Sequence, residues 1–444
     1  MTGPHGKPRP GGRGSFALGS PGERPSKPEG PRRAPGTGEG PYPGDVACSE
    51  GSLAPCLSPV LAVLEAGRRE GVAPGLAAEV CVGGALVHRS VLGEAELEPE
   101  RRPLGENPFF DLASLTKLFV ASAAARLVDR GELALDGPAC ALVPALAHRG
   151  EEVTVRHLLA HASGLPAYRP WYERIARDPM GEVAFRAPRE RPPAHELVLA
   201  FRKGREMIQG FLEAEPLEAA PGTRALYSDL GFIALGFALE NFGGTTLDRV
   251  VESEVLKPLG LKRTFFLSGL EPARSASLRE RHAFASTRRS PARGGAVLCG
   301  EVDDDNAWAL GGVAGHAGLF GHHADLAEFG KAWLDALAGR SSWLSATTAR
   351  AFAARDATPG SERALGWDTP SAHGSALGGR LGRGPRGALG HLGFTGTSLW
   401  LDLDREVVCV LLTNHVHPRG ADRERMRSFR ARFHDAVAKA IGIG

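Results

Sequence analysis

Lysine is the scarce residue of this chain. Of 53 basic residues among 444, only eight are lysine and the other 45 are arginine. Where a generic cation suffices the chain uses arginine, so each lysine asks for its own reason. Arginine keeps its proton in a protein, whereas a lysine in a dry pocket can lose it. Other scarcities exclude whole classes of protein. No run of about 20 apolar residues exists, so no membrane span is expected. The N-terminus lacks the apolar segment of a secretory signal, so the sequence as written reads as cytoplasmic; an exported protein would need a different start. The six cysteines (48, 56, 81, 140, 299, 409) show no CxxC or ligand-like spacing and read as reduced, mostly buried thiols. A net charge of +2 leaves no clustered basic excess for nucleic acid.

What is present is a globular pattern behind an unusual start. Residues 1–45 are crowded with Gly, Pro and Arg and poor in apolar residues. Such a segment cannot bury enough surface to offset its ordering entropy, so it is expected to be a disordered tail, acting as a linker or as a partner-binding arm. Residues 46–442 are expected to form one domain, with a helical subdomain at about 125–300. A helix over Leu57–Arg69 precedes strands Leu76–Val82 and Ala85–Leu92, joined at Gly83-Gly84. Helices are predicted over Ser114–Arg130, Thr154–Leu159, Leu230–Leu239, Leu247–Leu259, Ala324–Leu337 and Ala346–Ala354. Strands Thr397–Leu403 and Glu406–Thr413 and a helix over Arg423–Ile441 close the chain. Residues 167–222, polar and rich in Pro and Arg, read as an insertion rather than core. Strands, then helices, then strands again imply an α+β fold: a mostly antiparallel sheet flanked by helices, its outer strands drawn from opposite ends of the chain, plus a helical subdomain.

One of the eight lysines is Lys117, three residues after Ser114 in Ser114-Leu115-Thr116-Lys117. Positions i and i+3 share a helical face. A neutral lysine amine beside a serine hydroxyl is a general base, and such pairs make serine nucleophilic. The pair needs partners to carry weight. Tyr227-Ser228-Asp229 offers two. Read plainly, Ser228 or Asp229 caps the apolar helix that follows. Read functionally, the Tyr227 hydroxyl, its pKa lowered by a nearby lysine, carries protons, and Asp229 points into the same cleft. The run Gly390-His391-Leu392-Gly393-Phe394-Thr395-Gly396 is a glycine bulge with a surface histidine, or a sheet edge that lines a substrate groove and offers a backbone N–H to an oxyanion.

Ser-x-x-Lys, Tyr-x-Asp about 110 residues later and His-x-Gly on a late strand together resemble the serine β-lactamase and penicillin-binding protein superfamily, in its class C-like branch. The segments Leu158–Leu165 and Gly311–Phe320 are similar to that branch too. The resemblance spans roughly residues 57–440 and implies the β-lactamase/transpeptidase-like fold, with the site where sheet and helical subdomain meet. It implies that Ser114 is the nucleophile of an acyl-enzyme and that Lys117 and Tyr227 share the proton work. Asp229 stands in the place of the family's Asn, and His391 in that of its Lys. The N–H groups of Ser114 and Phe394, the latter after Gly393, would form the oxyanion hole. A mostly neutral His391, together with an anionic Asp229, implies weaker grip on carboxylate-bearing substrates.

The expected activity is therefore a serine hydrolase acting on a small ester or amide. A D,D-peptidase, a D-aminopeptidase or a weak β-lactamase working on cell-wall-type peptides is the alternative, and a non-catalytic peptide-binding module of the same fold is the rival from another class. No cofactor is expected, and the oligomeric state is left open. His322-His323 and His415-Val416-His417 lack the companion spacing of a metal site. His161 and His316 are expected to back the site through hydrogen bonds, and Asp303-Asp304-Asp305-Asn306 to be a solvated loop or a cap near the cleft.

Overall fold

A computed structural model describes residues 57–149, 152–371 and 375–443. The expected N-terminal tail, Cys48 and Cys56 lie outside the described residues. The main sheet begins with β1 (Gly75–Val82) and β2 (Ala85–Glu96), turning at Gly83-Gly84. It gains the short β3 (Arg102–Pro103) at one edge. A second sheet combines β4 (Pro108–Asp111), β5 (Thr264–Phe266), β6 (Ala283–Phe284) and β7 (Leu319–Gly321) in the order β5-β7-β4-β6. The C-terminal strands β8 (Ala388–Leu392), β9 (Ser398–Asp402) and β10 (Val407–Thr413) return to the main sheet, whose order is β8-β9-β10-β1-β2-β3. β1 pairs with β10 antiparallel, Leu76 facing Thr413 and Val82 facing Val407, so the two ends of the described chain meet at the sheet centre. All pairings within this sheet are antiparallel.

The sequences of β1 and β10 read as near-continuous apolar runs because both faces are covered. Leu76, Ala78 and Val80 with Val407, Cys409 and Leu411 face α1 (Ser58–Arg69) and the C-terminal helix, where Val60, Leu64, Phe429 and Phe433 complete one core. Their neighbours Ala77, Cys81, Val408, Val410 and Leu412 join a larger core on the other face with Phe329 and Trp333 of the helix His323–Ala338. That face also buries Glu79, which its position makes costly, so Arg89 and His323 bind it at 2.9 and 2.7 Å.

Two helices position the site. α2 (Thr116–Asp129) follows a single 3₁₀ turn, Ala113–Leu115, and is buried on nearly every side. α4 (Asp229–Gly243) is capped by Ser228, whose hydroxyl accepts the Gly231 N–H, and its ten residues Leu230–Leu239 are all buried. The Thr154 cap and the C-terminal helix, α5 (Arg423–Ala440), stand where the sequence put them. The predicted helix Leu247–Leu259 instead runs Leu247–Val251 and then widens into a π-turn at Glu252–Leu256, where the Trp343 indole binds the Glu254 carbonyl.

Residues 167–222 are not a surface insertion. α3 (Ala194–Ala214) buries Phe201, Ile208 and Leu212 in the larger core, joined by Trp171, Ile175 and Phe185. A solvated loop at 303–306 is likewise not found. Asp304 caps the helix Asp305–Ala309, while Asp303 and Asp305 are buried against Arg288 and Arg293. Of the four described cysteines, all free, Cys81 and Cys409 are buried, Cys140 is half-buried and Cys299 is exposed. Because Ile208 is fully buried, Ile208→Ala should lower unfolding free energy by about 2–5 kcal/mol in denaturant titration. A loss under about 0.5 kcal/mol would mean that this segment is peripheral after all.

Candidate active site

The approach to Ser114 is strained. Ala113, just before it, holds φ at +47°, a left-handed conformation that an alanine adopts at a cost of order 1–3 kcal/mol. Asp111 secures this turn: its Oδ1 accepts the Ala113 N–H at 2.8 Å and its Oδ2 accepts the Asp303 N–H at 2.6 Å. Complete burial, with the Asp303 charge nearby, pushes the Asp111 carboxyl up to about 7. Sequence reading missed Asp111, which sits at the end of a four-residue strand.

Lys117 is 0% exposed, and its ammonium nitrogen has three neighbours: Ser114 Oγ at 3.0 Å, Asp229 Oδ1 at 2.7 Å and the His316 carbonyl at 3.1 Å. The Tyr227 hydroxyl hydrogen-bonds both Lys117 and Ser114, and its ring lies 4.9 Å from the Lys117 nitrogen. The fold thus brings Ser114, Lys117, Tyr227 and Asp229 together. Their protonation differs from expectation. Burial alone would lower the Lys117 pKa, but the Asp229 charge, with hydrogen bonds to Asp229 and Tyr227, outweighs it and holds the amine above its ordinary value. Oxygens of Ser114, Asp229, His316 and Tyr227 offer acceptors enough for the three protons of an ammonium. Lys117 is therefore charged at rest, not the uncharged amine that the Ser-x-x-Lys spacing suggested. Tyr227 also departs from expectation: burial raises its hydroxyl more than Lys117 lowers it, so it rests as a phenol. Asp229 spends its charge on Lys117 rather than projecting it into the cleft.

His161 and His316 back the site as expected. His161 Nδ1 accepts the Ser228 N–H at 3.0 Å, and its ring packs 4.5 Å from that of Tyr227. Burial holds His161 well below the usual imidazole range, so it stays neutral. His316 Nε2 lies 2.9 Å from Asp304 Oδ1, an aspartate that His316 holds down to about 2 although burial opposes it. His316 belongs to the Gly311–Phe320 segment. At Gly315 an added Cβ would meet the Phe232 carbonyl at 1.9 Å, so only glycine lets this segment reach Lys117 across α4.

Of the two readings of His391, the surface histidine is not found. His391 is 2% exposed, burial lowers it to about 4, and its Nδ1 is tied to the Leu392 backbone. It stays neutral, as expected. Its ring lies 5.9 Å from Tyr227, and its Nε2 has no partner among the described residues. A second cation beside Tyr227 is Arg363, 4.8 Å over the ring and paired with Asp368, whose backbone bonds Gly390 in both directions. Among so many arginines nothing in the sequence marked this one.

Gly393 and Phe394 open the turn that faces Ser114. The Thr395 and Thr397 hydroxyls donate to the carbonyls of Asp111 and Leu112 at 2.8 and 3.1 Å, which locks this turn to the backbone just before the serine. A Cβ on Gly393 would meet Thr397 Oγ1 at 2.0 Å and the Leu112 carbonyl at 2.7 Å. Phe394 is 43% exposed. The paired histidines elsewhere are tied up structurally, as in His417, which accepts the Leu97 N–H, and no group of three or more ligating side chains occurs among the described residues.

A family model described as Beta-lactamase matches residues 60–431. An N-acetylmuramyl-L-alanine amidase of Bacillus subtilis (strain 168) is 29% identical over 380 residues, 79% of each chain. A putative D-alanyl-D-alanine carboxypeptidase of Escherichia coli (strain K12) is 29% identical over 337 residues, 71% of each. Among solved structures, EstCE1, a hydrolase with promiscuous acyltransferase activity, shares the fold at a TM-score of 0.62 and 20% identity, covering 86% of this chain and 97% of its own.

An ammonium must lose a proton before it can accept one, so turnover should rise with pH through the raised Lys117 pKa. Asp229→Asn removes the anion that raises it, and the rising limb of kcat/KM should move about 1–3 units to lower pH. An unmoved limb would show that Asp229 does not set the charge of Lys117. The ion pair's contribution to stability is complete below the ordinary lysine value of about 10.4 and is lost as pH rises through the higher folded value.

Proposed function

The chain belongs to the Beta-lactamase family, and from that membership we propose that it is a serine hydrolase working through an acyl-enzyme on a small ester or amide. The observation that carries this reading is the 3.0 Å contact between Lys117 Nζ and Ser114 Oγ, made while Asp229 holds the same nitrogen at 2.7 Å. Lys117 serves as the base once its ammonium has released a proton, a loss that Asp229 delays to higher pH. Ser114 Oγ then attacks the carbonyl carbon as its own proton moves to Lys117. The backbone N–H groups of Ser114 and Phe394 meet the oxygen on which charge gathers, a contribution of about 3–4 kcal/mol for each such donor. Tyr227, a phenol in contact with both Ser114 and Lys117, delivers a proton to the leaving group. Water takes the leaving group's place and releases the acid by the reverse sequence.

A second reading, hydrolysis of an amide in a peptide that carries a free carboxylate, is supported by Arg363. His391 is neutral and supplies no charge for such a group, but the Arg363 guanidinium lies over Tyr227 with its side chain 30% exposed. The names of the two curated relatives, an amidase and a carboxypeptidase, agree with an amide substrate.

A fluorophosphonate probe should add its mass to the wild-type protein and not to Ser114→Ala. A folded wild type that stays unlabelled would favour the non-catalytic, peptide-binding alternative. For the second reading, Arg363→Gln should raise KM about 10- to 100-fold for a substrate with a free carboxylate and leave its amidated counterpart nearly unchanged. Equal effects on both would remove the acid group from the account.

A further inference from the structure

Behind the turn that carries Phe394 lies a cation with no counter-ion. Arg430, on α5, is 6% exposed, and its Nη2 donates to the carbonyls of Gly393 and Thr397, each at 2.7 Å. No carboxylate pairs with it among the described residues, and its Nε has no hydrogen-bond partner there. The two carbonyls do not need it. Gly393 O already accepts the Gly396 N–H at 3.1 Å, and Thr397 O the Gly393 N–H at 2.8 Å. A buried, unpaired guanidinium is expensive, and such expense is tolerated where function repays it. Its other side faces the site: the same turn is bolted by Thr395 and Thr397 to the carbonyls of Asp111 and Leu112, next to Ser114. The turn is thus a wedge between the candidate nucleophile and a buried positive charge.

We propose that Arg430 is a positioning residue for the acyl-transfer step, fixing the Gly393–Thr397 turn and holding positive charge behind the Phe394 N–H. The inference rests on the acyl-enzyme reading above. In that step the Ser114 Oγ–carbon bond forms, the carbonyl π electrons move onto oxygen, and the serine proton goes to Lys117. The one new negative charge arises on the side of the turn opposite Arg430, and the uncompensated guanidinium favours it. Burial, the sole cause of its shift, lowers the Arg430 pKa to about 9, which agrees with a charge that lacks a partner until the oxyanion appears.

The test compares wild type, Arg430→Met and Arg430→Lys on a p-nitrophenyl ester, with melting temperature and fluorophosphonate labelling rate measured alongside. Arg430→Met removes the buried charge and leaves both carbonyls bonded within the turn. It should melt at or above the wild-type temperature, while kcat and labelling rate fall together by about 10- to 100-fold and KM stays within about twofold. Arg430→Lys should recover part of kcat and add an alkaline limb where the buried amine loses its proton. A wild-type kcat in Arg430→Met overturns the proposal. So does a loss that follows a drop in melting temperature, with no recovery and no new limb in Arg430→Lys. Failure of the wild type itself to label at Ser114 would instead overturn the acyl-enzyme reading on which the proposal stands.

Discussion

The ion pair between Lys117 and Asp229 is the constraint around which the site is built. An ammonium with no exposed surface costs several kcal/mol unless its protons find acceptors and its charge finds a partner. Asp229 supplies the charge at 2.7 Å, and the His316 carbonyl and Ser114 hydroxyl complete the set. To meet this demand, three separate parts of the chain must converge: the start of α2, the first residue of α4 and the glycine-rich run at 311–320. Each is fixed independently. Ser228 caps α4, Asp304 anchors His316, and Asp111 holds the strained turn before Ser114. Rigid mounting of this kind keeps reacting groups within fractions of an ångström of their working geometry.

The sheet supplies the opposite wall. Its central strands are covered on both faces and cannot shift register without exposing a whole core. The edge strand β8 delivers the 393–397 turn against Asp111 and Leu112 through two threonine hydroxyls. The Ser114 turn and the 393–397 turn are thereby joined by direct hydrogen bonds rather than merely placed side by side. The charges around them are graded: a neutral His391 inside, a paired Arg363 at the Tyr227 ring, and an unpaired Arg430 behind the turn.

Much of this was legible from the chain itself. The apolar run Leu230–Leu239 and the Ala- and Leu-rich stretch after Ser114 gave the two site helices, and the valine-rich ends gave the paired strands β1 and β10. The second sheet was not legible, because strands of two to four residues leave no period to read. Residues 167–222 misled through their Pro and Arg content: the buried positions Phe201, Ile208 and Leu212 recur at helical intervals, but polar neighbours mask them. Arg363 and Arg430 could not be singled out among 45 arginines. The protonation state of Lys117 was misread for a subtler reason. Spacing alone suggests a free amine, and only the closeness of Asp229 in three dimensions decides that the amine is charged.

That decision can be tested directly. With only eight lysines in the chain, ε-carbon labelling and NMR titration resolve each amine, and the Lys117 signal is assigned by its disappearance in Lys117→Arg. The account predicts that this amine titrates above the ordinary lysine value of about 10.4. A midpoint below about 8 would mean that burial dominates and that the resting base is neutral, which would contradict the ion pair as the organising interaction.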